Sequence, residues 1–126
     1  MSAIAGAFSE YTKSLHHREL FTFRVLTEWH SIYGVFIATC IETGSVATAD
    51  SADMAEDMIK ELLLDEACWA LDHNGLPNLY STPATLSTWL RCSLFLSSAS
   101  RYRIVVGEQG ISIAIFLARG TMGEVK

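Results

Sequence analysis

GVFIATCIETGSVATADSADMAEDMIKELL, residues 34–63, holds the decision about the fold. Its first part, VFIATCI over residues 35–41, is rich in β-branched residues and apolar on both faces, the pattern of a strand buried in the middle of a sheet. Glu42-Thr43-Gly44 is a compact turn, and residues 45–49 form a short third strand with small side chains. A helix then begins. Asp50 or Ser51 can cap it, since a short side-chain oxygen satisfies the free amides of a first turn. Asp53, Glu56 and Asp57 follow where the helix dipole favours negative charge. The helix is expected to run to Asp72 or His73, with Asn74-Gly75 as a left-handed stop and Pro77 just beyond.

Upstream, LFTFRVLTEW (residues 20–29) alternates. Phe21, Phe23 and Val25 share one face and Thr22, Arg24 and Glu28 the other, while Leu26 breaks the pattern; this is a half-buried strand. Residues 30–34 turn the chain, so that three strands make an antiparallel meander. Residues 3–15 are expected to form a short helix or a loose arm.

Along the helix, Ala55, Met58, Ile59, Leu62, Trp69 and Ala70 make a stripe suited to the sheet, with Glu66 in conflict upon it. Leu64, Cys68 and Leu71 make a second, narrower stripe on nearly the opposite face. A helix over one sheet needs a single apolar face, so this second stripe is expected to meet another layer, either the C-terminal segment or a second chain.

Downstream, Thr82-Pro83 resembles a cap and first-turn proline. Leu86, Trp89, Leu90 and Leu94 keep helical spacing, so a second helix is expected over residues 83–97. RYRIVV and ISIAIFLA flank Gly107-Glu108-Gln109-Gly110 and read as a β-hairpin. The layout is βββ, α, α, ββ. The expected class is α+β, an antiparallel sheet with helices packed on one face. Residues 1–19 stand as an N-terminal arm or short helix and residues 20–126 as a single domain.

The composition supports one well-packed domain: 126 residues, 50% hydrophobic and 18% charged. Nine Lys and Arg stand against 14 Asp and Glu, a formal charge of -5. That balance disfavours direct binding to a phosphate backbone and suits a basic protein partner. Cys40, Cys68 and Cys92 are widely spaced, as expected of reduced, buried thiols in the cytoplasm. No apolar run approaches a membrane span, and the first residues lack the basic start of a signal peptide.

Chemistry-bearing groups are sparse. Glu42, Asp50, Asp53, Glu56 and Asp57 cluster in sequence, and a metal-dependent nuclease would need such acids to converge on a cation. Capping and a solvated helix face account for them better. His16 and His17 are adjacent and diverge on a strand, and His30 and His73 lie alone, so all four are expected at the surface; no metal-ligand spacing exists. Cys40 has no local base or helix N-terminus to activate it. No glycine-rich phosphate cradle is present. No catalytic residue, metal or cofactor is therefore expected.

Gly34, Phe36, Ile37, Ala38, Cys40, Glu42, Gly44, Val46, Asp50, Ser51 and Ala55 stand in the order and spacing of a known family. Over residues 20–74 the chain resembles the HicB-like antitoxin domain. The resemblance implies a compact βββα-β domain, similar to a pared-down ribonuclease-H-like fold, that binds and blocks a small basic toxin cutting messenger RNA. Such domains often dimerise, and many carry a C-terminal DNA-binding unit. Here Ile41-Glu42-Thr43-Gly44 lacks the family's two prolines, Ala49 replaces a glycine, and residues 101–118 read as a hairpin rather than a DNA-binding helix pair. The expectation is a protein-binding module without direct nucleic-acid binding, facing its partner through Glu42, Asp50, Asp53, Glu56 and Asp57 and self-associating through Leu64, Cys68 and Leu71. An orphan homo-oligomer of this kind, with ISIAIFLA pairing edge to edge, and a metal-dependent nuclease using Glu42 and Asp50 are the alternatives.

Overall fold

A computed structural model describes residues 19–73, 79–80, 82–106 and 111–120. The expectations for residues 3–15, His16-His17, the Asn74-Gly75 stop, Pro77 and the turn at residues 107–110 lie outside them. The elements are β1 (Glu19–His30), β2 (Val35–Cys40), β3 (Val46–Ala49), α1 (Ala52–His73), α2 (Leu86–Ser93), a short 3-10 turn (Leu96–Ser98), β4 (Ser100–Val106) and β5 (Ile111–Arg119). The fold is α+β, with one five-stranded sheet in the order β3-β2-β1-β5-β4.

The meander and the hairpin form as the sequence predicts. β1 pairs antiparallel with β2, β2 with β3, and β4 with β5. The sheet as a whole is mixed rather than antiparallel, because β5 lies parallel to β1 with Phe21 opposite Ile113 and Thr27 opposite Arg119. β5 is apolar on both faces, and Ile113, Ala114, Ile115, Leu117 and Ala118 are all buried. Such a strand must be covered on both faces, and beside β1 it meets α1 on one and the turn after α2 on the other. The hairpin therefore docks with β5 inward, leaving β4, with Arg101 and Arg103, at the edge.

The two helices cover opposite faces of the sheet, which corrects the expectation of one covered face. Phe21, Phe23 and Val25 point to the face that α1 covers, joined there by Cys40, Ile113 and Ile115. Leu26 belongs to the other face. It packs with Ile41, Ala118 and Cys92, beneath α2 and the turn that follows it. Leu26 therefore does not interrupt the alternation of β1; it marks where the strand acquires a second core. Ala84 N–H donates to the Ile41 carbonyl at 3.0 Å and ties the start of α2 to the end of β2.

Ser51 caps α1, its Oγ accepting from Met54 N–H at 3.1 Å. The buried residues of α1 include Ala55, Ile59, Leu63, Ala67 and Ala70. This face is turned by roughly 70° from the stripe read in the sequence, at 100° per residue. Met58 and Trp69 leave the core, at 47% and 51% exposure. Leu64 and Leu71 are half-buried and pack against the main core, so with Cys68, also half-buried, they do not form the separate stripe expected for self-association. The conflict at Glu66 is resolved by Ser45, whose Oγ donates to its carboxylate at 2.8 Å.

α2 is shorter than the expected 83–97. Its cap is Thr85, whose side chain accepts from Thr88 N–H at 3.3 Å, rather than Thr82.

Candidate protein-binding surfaces

The five acids adjacent in sequence are divided by the fold. Glu42 turns inward on the α2 side, accepting from Arg24 N–H at 2.7 Å and from Arg24 Nε at 2.5 Å. Glu56 is buried on the α1 side and holds the end of β5: Arg119 Nε donates to its Oε2 at 2.9 Å and Arg119 Nη2 to its Oε1 at 2.8 Å. Asp53 joins the same guanidinium. These hydrogen bonds to Glu56 and Asp53 push the Arg119 pKa up, so the cation stays charged. Asp57 is exposed and pairs with Lys60 at 3.3 Å, and Asp50 is exposed. Glu42 and Glu56, expected to face a partner, are thus internal counter-ions. A carboxylate whose charge an arginine already meets offers little to a second cation. Among the described residues no three His, Cys, Asp or Glu side chains come close enough to hold a metal ion.

The thiols are shielded. Burial pushes Cys40 up to about 11, and burial also raises Cys92. Both are deep in the two cores, and a protonated, inaccessible thiol is no nucleophile. His73 is exposed and stacks on Trp69, with ring centroids 4.5 Å apart, while His30 is half-buried beside Tyr33.

Two surfaces remain. The first is the outward side of α1. Met54, Met58 and Trp69 are exposed there, with Asp57, Glu61, Asp65 and Asp72 in the same sector of the helix. Large apolar side chains set among carboxylates suit a partner that is both apolar and basic. β3 is the sheet's edge on one side, only four residues long, with Val46 and Thr48 exposed. Sequence reading missed this surface because Met58 and Trp69 had been assigned to the core. The acids Glu61, Asp65 and Asp72, spaced four and seven residues apart and so on one side of the helix, were the available signal.

The second surface is on the opposite face of the sheet. An open groove of about 610 Å³ runs between α2, the middle of β1 and the end of β2, with Ile41, Ala84, Leu86, Trp89 and Leu90 among its lining residues and the Arg24–Glu42 pair within it. The Arg24 guanidinium lies 5.2 Å from the centre of the Trp89 ring, within the range of a cation–π contact. Arg91 crosses from α2 to β1, its Nε donating to Glu28 Oε2 at 2.8 Å.

Compared with protein-family models, curated proteins and solved structures, the chain matches none. No described helix is long and apolar enough to cross a membrane.

Proposed function

We propose that this chain is a non-enzymatic, cytoplasmic protein-binding module resembling a HicB-type antitoxin, and that its partner is a small basic ribonuclease toxin. The outward side of α1 carries this reading: Met54, Met58 and Trp69 stand exposed among Asp57, Glu61, Asp65 and Asp72. Apolar contact supplies affinity on such a surface, and the acids supply orientation and selection for a cationic partner. The chain order also favours the reading. The resemblance implies three strands, a helix and a returning strand, and β5 returns beside β1 after α1. The free, buried thiols Cys40 and Cys92 suit a reducing compartment.

The test is recovery of the tagged chain from its native host, followed by an RNA-cleavage assay on whatever co-purifies in stoichiometric amount. A small basic protein whose cleavage of RNA is suppressed by this chain is expected. Replacing Asp57, Glu61 and Asp65 with lysine should abolish both capture and suppression. Capture that survives this triple replacement, or a partner with no ribonuclease activity, overturns the reading.

A further inference from the structure

The groove beside α2 is walled mainly by apolar side chains, Ile41, Leu86, Trp89 and Leu90 among them, and its charged groups are Arg24 and Glu42. The two partners of this ion pair are unequally spent. Both oxygens of Glu42 are engaged. Oε1 accepts from Arg24 N–H at 2.7 Å and lies 3.8 Å from the Cys40 thiol, and Oε2 accepts from Arg24 Nε at 2.5 Å. Of the Arg24 side chain only Nε is used; among the described residues nothing accepts from its two terminal nitrogens. Trp89 steadies the guanidinium from the α2 side, 5.2 Å from its ring centre, and the Arg24 side chain stays 32% exposed. What the groove has left over is a fork of hydrogen-bond donors set beside an apolar wall.

We propose that the groove binds a small apolar carboxylic acid, its carboxylate on the terminal nitrogens of Arg24 and its apolar body along Ile41, Leu86, Trp89 and Leu90. A carboxylate is planar and takes two parallel N–H bonds from the guanidinium fork. A cationic ligand finds no equivalent, because the Glu42 oxygens are already engaged. The volume of about 610 Å³ lies within the range of small-molecule sites. A protein partner needs more surface than α2 offers. Its eight residues present a strip about 12 Å long and about 10 Å wide, far short of the about 800 Å² per side of a stable protein interface. Glu42 offsets the charge of Arg24, so the apolar wall supplies most of the affinity and the fork selects the carboxylate. Glu42 is thus a positioning residue. The site lies across the sheet from the outward side of α1 and does not depend on the antitoxin reading.

Titration of the full 15N-labelled chain with decanoate and, separately, with 1-decanol tests the proposal, read from the indole N–H resonances. Decanoate is expected to shift the Trp89 resonance and leave that of Trp69, across the sheet, in place. It is expected to bind about tenfold more tightly than decanol, the worth of hydrogen bonds to a charged group. Arg24→Gln should bring decanoate down to the affinity of decanol and leave decanol unchanged, whereas Leu90→Ala should weaken both. If Arg24→Gln unfolds, Arg24→Lys replaces it; it keeps a cation for Glu42, lacks the fork, and is expected to lose most of the preference for the acid. An unmoved Trp89 resonance, an equal shift at Trp69, equal affinities for acid and alcohol, or a preference that survives loss of the fork overturns the proposal.

Discussion

Arg119, the last residue of β5, is gripped through two of its nitrogens by Glu56, in the first turns of α1, at 2.9 and 2.8 Å. The pair spans 63 residues of sequence and joins the strand that makes the sheet mixed to the helix that covers it. The Glu56 side chain is only 11% exposed. Removing its partner would leave a nearly buried carboxylate without its counter-ion. Arg119→Ala is expected to lower stability by about 1–3 kcal/mol in urea unfolding. Asp53→Ala should cost less than about 0.5 kcal/mol, because a largely exposed member of an ion pair is screened by solvent.

The rotation of α1 gives a direct comparison between two of its apolar residues. Leu63 is fully buried and central to the core, whereas Met58 is half in solvent. Leu63→Ala is expected to cost about 2–5 kcal/mol through lost burial and a residual cavity. Met58→Ala should change stability by less than about 1 kcal/mol. Equal losses would mean that the stripe containing Met58 faces the core after all. Chemical denaturation of the two variants settles the orientation.

Gly44 turns the chain from β2 to β3 with φ of 76°, its N–H donating to the Cys40 carbonyl at 2.9 Å. A Cβ at this position would stand 2.1 Å from the Thr82 carbonyl oxygen, in the segment leading to α2. Gly44→Ala therefore meets both the left-handed backbone penalty and a clash with main chain. A loss above about 1–2 kcal/mol is expected in thermal or urea unfolding. An unchanged midpoint would show that the segment at Thr82 does not approach the turn.

Cys40 and Cys92 give the protein an alkaline limit. Burial raises Cys40 from its ordinary 9.0 to about 11 and raises Cys92 in the same direction. Between these values the unfolded thiols have lost their protons while the folded ones retain them, so the unfolded state binds fewer protons and stability falls as pH rises. This contribution is fully present below pH 9.0 and is lost progressively towards about 11. Urea midpoints measured across that window should decline, and Cys40→Ala should flatten the decline. In a thiol titration of the native protein, Cys68, half-buried on α1, is expected to react first, with the two buried thiols following only on unfolding.

The local elements were legible because their signals lie within a few residues. Alternation in β1, the β-branched run of β2, the cap at Ser51 and the two apolar runs of the hairpin each report on contacts no further than the next turn or strand. Leu26 shows where this reading stops. One leucine off the pattern looks like noise until a helix more than 60 residues away is found over it, packing Cys92 against it. The acids show the same limit. Their closeness in sequence suggested one face, yet Glu42 answers Arg24 on one side of the sheet and Glu56 answers Arg119 on the other.

What the sequence determined by itself is therefore the inventory: three strands, a long acidic helix, a second helix and a hairpin, with the turn chemistry that separates them. Tertiary structure alone decided that β5 inserts parallel to β1, that α2 covers the far face, and which side of α1 is buried. The reason is physical. Secondary structure follows from hydrogen bonds and side-chain periodicity over a few residues. The position of an element follows from which apolar surfaces remain uncovered once the others have packed. In this chain β5, apolar on both faces, is satisfied in the interior of the sheet, and its arrival beside β1 set the place of Arg119 and the clasp at Glu56.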